Sequence, residues 1–164
     1  MTVLATSVPR GPAYSLVLVA HMLAAVVGFG TVGLTGWHAG RAAQGPLAPG
    51  APAVRRYFRS PTNWAPRAVY AVPVLGFALV GLSHGAFRPD DGFVVTGLVL
   101  WAGAVAVAEM VVWPAERRLV GVVAGDWGAA DLVAVTAVCR RIELGASVLV
   151  VLFVAATVVM VVQP

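Results

Sequence analysis

Residues 15–40, SLVLVAHMLAAVVGFGTVGLTGWHAG, decide the fold of this chain. The stretch runs from Ser15 to Gly40 without an Asp, Glu, Lys or Arg. A helix needs about 20 predominantly apolar residues to cross the hydrocarbon core of a bilayer. The stretch therefore predicts a membrane-spanning helix over Tyr14–Trp37.

Three further apolar stretches have the same character: Ala68–Phe87, Phe93–Trp113 and Ile142–Val162. Of the 164 residues, 60% are hydrophobic and 11% are charged, whereas a soluble domain carries roughly 25% charged residues. This composition leaves too few polar side chains to cover a soluble globule. We expect an all-α polytopic membrane protein, with residues 1–164 forming a single integral membrane domain built as a four-transmembrane-helix bundle.

The arginines predict the orientation, because the chain contains no lysine. Arginines concentrate in the first and third predicted loops, and outside them only Arg10 and Arg88 occur. Positive residues stay on the cytoplasmic side of a membrane. The chain is therefore expected to have both termini outside. Its preference for Ala, Val, Gly and Arg over Lys is typical of a high-GC bacterium, which indicates the bacterial plasma membrane.

The same arginines indicate which partners to expect. Cytoplasmic arginines attract anionic lipid headgroups. No basic patch interleaved with base-stacking aromatic residues is present, so no nucleic-acid partner is expected. The first apolar stretch is longer than a signal-peptide core and is expected to be retained as a helix.

The predicted third loop is amphipathic. Its sequence from Pro114 to Arg141 contains Asp131 as a candidate N-cap. We expect the third and fourth helices to continue past the membrane as a cytoplasmic helical hairpin that turns near Gly125–Gly128. This hairpin, residues 114–141, is the candidate contact surface for a protein partner.

GFGTVG, Gly28 to Gly33, formally matches the dinucleotide fingerprint G-x-G-x-x-G. A dinucleotide site needs a strand before the glycines and an acidic residue about 20 residues after them. Here the glycines lie inside one apolar stretch, and no acidic residue occurs before Asp90. No dinucleotide is expected to bind.

Helical geometry assigns these glycines to packing. His21, Gly28 and Thr35 recur every seven positions and share one helix face. Gly36 flanks that face and Gly33 lies at its edge. Small residues let helix backbones approach closely in lipid. We expect Gly28, Gly33 and Gly36 to pack against other helices.

His21 and His84 are the candidate cofactor ligands. An imidazole within a membrane needs a partner or a ligand. His21 therefore either hydrogen-bonds a neighbouring helix or serves as an axial haem ligand, a metal ligand or a proton relay. His84 is predicted near the external end of the second helix, where it is either a second ligand or an interfacial residue.

Glu109 is the one carboxylate well inside a predicted span. Buried ionisable groups are normally paired, and the candidate partners are Arg67, Arg140 and Arg141. We expect a structural ion pair, with Glu109 and Arg67 as buried charges; proton or cation handling is the alternative. The single cysteine, Cys139, excludes an internal disulfide.

Two segments carry a family resemblance: AHMLAAVVGFGTVGLTGWHAGRAA, residues 20–43, and VVTGLVLWAGAVAVAEMVVWPAERRL, residues 94–119. They resemble predicted bacterial four-helix integral membrane proteins of unknown function, which are allied to CopD-type copper-resistance and HemJ-type membrane proteins. The HemJ-type resemblance implies haem b held by a first-helix histidine, at the position of His21. The CopD-type resemblance implies copper movement. The chain has no lysine, and its four methionines are scattered along the sequence.

These observations favour a small integral membrane protein that is a haem- or metal-associated redox component using His21. A non-catalytic subunit or assembly protein of a larger membrane complex is the alternative, and proton-coupled or metal transport is a weaker one. No nucleophile triad or clustered metal-ligand spacing occurs in the sequence, so a protein-built enzyme active site is not expected.

Overall fold

The computed structural model of the chain describes residues 11–44, 56–58, 64–124 and 131–162. Within these ranges the protein is helical and contains no strand. The long helices are α1 (Pro12–Ala42), α2 (Ala65–Leu82), α3 (residues 92–124) and α4 (Asp131–Val162). The described residues thus include 4 helices long and apolar enough to cross a membrane.

Three of these helices are longer than a bilayer requires. The candidate spans Gly92–Gly121 of α3 and Val133–Val162 of α4 are each 30 residues long and Pro12–Ala42 is 31, or about 45 Å at the rise of an α-helix, against a hydrocarbon core of about 30 Å. The last part of α3, Trp113–Ala124, packs against α4. Helix α3 thus continues to Ala124 and α4 begins at Asp131; the predicted turn at 125–128 lies outside the described residues, and the cytoplasmic hairpin stays a prediction.

The helices pack in the order α2, α1, α4, α3. Neighbours in this order are antiparallel. On α1, His21 and Gly28 contact Val72 and Val69 of α2, and Gly33 and Gly36 contact Val150 and Ala146 of α4. On α3, Gly97 and Val112 contact Met160 and Gly145 of α4. Helices α2 and α3 do not pack along each other, although the loop 83–91 joins them. We refer to the end that carries this loop as the short-loop end, and to the opposite end as the long-loop end.

Glycines on α1 set both of its interfaces. A Cβ at Gly28 would lie 2.7 Å from the backbone nitrogen of Val69 on α2. A Cβ at Gly36 would overlap the Cβ of Ala146 on α4, and a Cβ at Gly33 would touch Val150 at 3.4 Å. The glycine-rich side of α1 therefore serves two adjacent interfaces, and its backbone approaches α2 and α4 closely.

Proline shapes the start of α2. Its first six residues, Ala65–Tyr70, form a 3-10 helix, and the α-helical part follows from Ala71. Pro73 has no amide hydrogen, so the carbonyl of Val69 cannot accept the α-helical bond from position 73. The indole Nε1 of Trp101 on α3 donates to this carbonyl at 2.9 Å. The carbonyl that Pro73 leaves without its α-helical donor thus links α2 to α3 through a hydrogen bond.

The end of α2 corrects a predicted boundary. The apolar pattern predicted a span over Ala68–Phe87, but the helix ends at Leu82. His84 and Gly85 follow with φ of 51° and 87°, in the left-handed region that stops a right-handed helix. The hydroxyl of Ser83 accepts a hydrogen bond from the backbone amide of Phe87 at 3.0 Å, which closes the turn.

A π-helical turn, Ala108–Val112, interrupts α3. Pro114 lies two residues beyond this turn and cannot donate an amide to Met110, which favours an irregular hydrogen-bond register there. Gly145 of α4 faces this turn, because a Cβ on it would lie 2.8 Å from Val112 and 3.2 Å from Val111. The widened turn therefore fits against a position of α4 that has no side chain.

Candidate functional site

His21 is held by the backbone of α2. Its Nδ1 lies 3.0 Å from the carbonyl oxygen of Val72. A carbonyl oxygen can only accept a hydrogen bond, so Nδ1 carries the proton and donates. Gly76, one turn further along α2, leaves room for the ring, since a Cβ there would already touch Cε1 of His21 at 3.5 Å.

This hydrogen bond leaves Nε2 of His21 as the nitrogen available to a ligand. In a neutral imidazole with a proton on Nδ1, Nε2 presents a lone pair. Nε2 has no hydrogen-bond partner within the described ranges. Nε2 is also accessible from outside the protein. Among the described residues, Nδ1 of His38 is the one side-chain nitrogen or oxygen that is both fully buried and without a partner.

His21 lines a cavity of about 410 Å³ to which all four long helices contribute. The walls are apolar and include Phe29 and Phe153, whose rings stack at 4.9 Å. Polar side chains in the lining, as far as the structure describes it, are Tyr14, His21, Trp101 and Thr157. The indole of Trp101 and the hydroxyl of Thr157 already donate to backbone carbonyls.

The cavity offers one imidazole, which could serve as an axial ligand of haem but is too few ligands for a bare metal ion. Haem iron takes four ligands from its porphyrin and needs only an axial group from the protein, for which an imidazole serves. The Nδ1 bond to a backbone carbonyl is the contact that orients a metal-ligating histidine. A bare ion would find His21 alone, since no group of three or more His, Cys, Asp or Glu residues is present among the described residues. No arginine that could bind the haem carboxylates is found in the described cavity lining. The match is therefore limited to the axial ligand of the iron and to apolar contact with the porphyrin.

His84 is not part of this cavity. It is exposed at the end of α2 and does not belong to the cavity lining. The structure therefore does not bring His21 and His84 together as a ligand pair. Its positive φ gives His84 a role in the turn after α2.

Glu109 and Arg67 lie on the surface of the helix assembly, and neither side chain is buried within it. Tyr70 donates its hydroxyl to the carboxylate of Glu109, and Arg67 lies over the ring of Trp64 at 4.2 Å. No ion pair joins Glu109 to Arg67 in the part of the chain that the structure describes. The expected buried ion pair is therefore not formed. In its place, the hydroxyl of Tyr70 on α2 is hydrogen-bonded to the carboxylate of Glu109 on α3.

A second polar cluster, at the long-loop end, was not anticipated from the sequence. Thr35 is 1% exposed and its hydroxyl donates to the carbonyl of Thr31. It therefore accepts the hydroxyl of Tyr57, at 2.6 Å. The Tyr57 ring also stacks on His38 at 4.2 Å. The seven-residue repeat that contains Thr35 was the available signal, but it did not reveal that the partner comes from the first loop.

Comparison of the chain with protein-family models, with curated proteins and with solved structures gives no significant match. The resemblance to the four-helix membrane family and its CopD- and HemJ-type relatives therefore stays a prediction.

Proposed function

We propose that this chain is a multi-pass protein of the bacterial plasma membrane that holds haem b through Nε2 of His21 and acts as a redox component. One observation carries the proposal: Nδ1 of His21 is bonded to the Val72 carbonyl while the ring lines a large apolar cavity. An imidazole within a membrane is costly unless its second nitrogen also has a hydrogen-bond partner or binds a ligand. The haem would supply electron transfer, and the chain would orient the axial nitrogen and exclude water.

The visible spectrum tests this function. Protein expressed with haem and purified in mild detergent is expected to show a Soret band that is lost in His21→Ala, because no other histidine lines the cavity. His84→Gly is the matched control, since glycine adopts the positive φ of that turn without strain. It should retain the band. A colourless native protein, or a Soret band unchanged in His21→Ala, would contradict the proposal.

A second candidate is a non-catalytic subunit or assembly protein of a larger membrane complex. It is favoured by exposed arginines on the extensions of α3 and α4, which offer a charged contact surface for a partner: Arg117, Arg118, Arg140 and Arg141. The same purification distinguishes the two functions. A colourless protein that stays in a stable larger complex would support the subunit.

The orientation proposed for the chain has both termini and the short-loop end outside. Support comes from the arginine distribution, which concentrates positive charge at the long-loop end. In a Cys139→Ala background, we expect a membrane-impermeant maleimide to label Ala86→Cys in intact cells and to spare Arg118→Cys. Both positions are exposed in the structure. The reverse labelling pattern would invert the orientation.

A further inference from the structure

We infer that the cavity at His21 opens to the lipid bilayer between α1 and α4, toward the short-loop end, and that an acyl chain of a membrane phospholipid enters it there. The opening has Met22 and Val26 of α1 on one edge and Thr157 and Val161 of α4 on the other. All four edge residues line the cavity and are also exposed. The cavity therefore reaches the outer surface of the helix assembly between these two helices.

One face of α1 contacts α4 in its long-loop half and is uncovered in its short-loop half. Met22, Phe29 and Gly36 recur every seven positions and share this face. Gly36 lies against the Cβ of Ala146, and the ring of Phe29 stacks on that of Phe153. Phe29 is 6% exposed, whereas Met22 is 58% exposed. Helix α4 therefore covers this face at Gly36 and Phe29 but not at Met22.

The facing side of α4 shows the same change. Met160 follows Phe153 by seven residues, as Phe153 follows Ala146. The register of the α1–α4 contacts would place Met160 against Met22. Its Cε instead lies beside Gly97 of α3, in the space that a Cβ there would need. The short-loop end of α4 is therefore packed on α3 and not on α1.

Helix α1 is held to α2 at the same end. The imidazole of His21 donates to the Val72 carbonyl at 3.0 Å, and Gly76 leaves room for the ring. Each of the two helices thus has its close contact on the side away from the other. The opening between them extends from the ring contact of Phe29 with Phe153 to the short-loop end.

The lining decides what enters the opening. None of the residues found in the lining is an Asp, Glu or Arg. A charged solute would lose its hydration in this space without gaining a counter-charge, which is costly within a membrane. An acyl chain is already surrounded by hydrocarbon, so it loses no hydration when it enters. Phospholipids are the bulk of the bilayer beside α1 and α4, and we therefore assign the opening to one of their chains.

This opening gives molecules dissolved in the bilayer a path to Nε2 of His21. The inference shares with the proposed function the placement of α1 and α4 across a bilayer, but it does not require haem. The experiment therefore uses the haem-free protein, while the Soret band is measured separately.

Photolabelling from the lipid tests the opening. The full chain is reconstituted without haem into phosphatidylcholine vesicles that contain a phosphatidylcholine with a diazirine near the end of one acyl chain. After irradiation, labelled residues are mapped by mass spectrometry. His21 and Phe29 line the cavity, so we expect label on both. Val32 and Leu149 are buried like Phe29 but do not line the cavity, and they should stay unlabelled.

Two variants narrow the opening from opposite helices, Val26→Trp on α1 and Thr157→Trp on α4. Both positions are exposed, so an indole ring fits there without displacing a buried side chain. Either variant should reduce the label on Phe29 to background. Because the variants act from different helices, failure of one to fold leaves the other as the test.

Leu23→Trp and Val158→Trp are the matched controls. They place the same ring on the same two helices, at exposed positions outside the cavity lining. Phe29 should be labelled in both as in the native chain. Val99 of α3 is also exposed and outside the lining, so label on it reports contact with lipid in every variant. Thermal unfolding in mild detergent identifies the variants that fold.

Three results would overturn the inference. Labelling of Phe29 by a water-soluble diazirine and not by the lipid would place the entrance at the aqueous end of the cavity. No labelling of Phe29 by either reagent would mean a cavity without an entrance, and undiminished lipid labelling in both folded tryptophan variants would place the entrance between other helices. A colourless protein with labelled Phe29 would reject the haem proposal and keep the opening, whereas a haem-binding protein with unlabelled Phe29 would reject the opening alone.

Discussion

Gly28→Ala is expected to destabilise the protein by about 1–3 kcal/mol or more, the usual cost of overpacking a tight contact. The added methyl group would lie 2.7 Å from the nitrogen and 3.1 Å from the Cα of Val69, and 3.3 Å from the carbonyl carbon of Ala68. All three atoms belong to the backbone, so no side-chain rotation can relieve the clash. Helix α2 has to move away from α1, and the bond from His21 to the Val72 carbonyl weakens with it.

Gly30→Ala is the matched control for this variant. Gly30 lies on the same helix, but a Cβ there would meet nothing within 4 Å. Alanine also has a higher helix propensity than glycine, by up to about 1 kcal/mol in aqueous peptides. Thermal or denaturant unfolding in mild detergent should place Gly30→Ala at or above the native stability and Gly28→Ala well below it. Equal stabilities would show that α1 and α2 do not approach closely at Gly28.

Gly36→Ala is expected to cost about 1–3 kcal/mol as well, at the other interface of α1. The new methyl group would overlap the Cβ of Ala146, which is 2% exposed and attached directly to the α4 backbone. A Cβ has no rotamer, so relief requires α1 and α4 to separate. Since this pair forms the centre of the helix assembly, unfolding in detergent should occur at a clearly lower temperature.

Gly97→Ala provides the comparison for Gly36→Ala. It also adds a methyl group at a close contact with α4, but the atom it meets is the terminal Cε of Met160. An unbranched thioether chain adapts to irregular space, so we expect less than about half of the loss seen for Gly36→Ala. Similar losses for both variants would mean that contact distance alone, and not the stiffness of the neighbour, decides the cost.

The glycines of α1 illustrate how far a single helix can be interpreted from its sequence. The periodicity placed His21 and Gly28 on one face, and in the structure both meet α2, at Val72 and Val69. Gly36 was assigned to the flank of the same face, yet it contacts α4. Helical periodicity gives directions around one axis, but it contains no information about which neighbour lies in each direction.

Glu109 illustrates the opposite limit. Its position within an apolar span suggested a buried ion pair with Arg67. The side chain instead lies on the surface and accepts the hydroxyl of Tyr70. Arg67 is on the same 3-10 segment as Tyr70, so the prediction located the correct part of α2 but not the residue. Residues three positions apart in a 3-10 helix share one face and are separated by about 6 Å along the axis, so position along α2 decides which of the two reaches Glu109.

Four long apolar helices, a packing role for Gly28 and the need of His21 for a partner could all be predicted without a structure. These properties follow from hydropathy and helical period, which are local. The packed helices were needed to establish the helix order, the hydrogen bond from Trp101 to Val69 and the cavity beside His21. Those features depend on close contact between residues far apart in the chain, and many helix arrangements bury the same apolar surface.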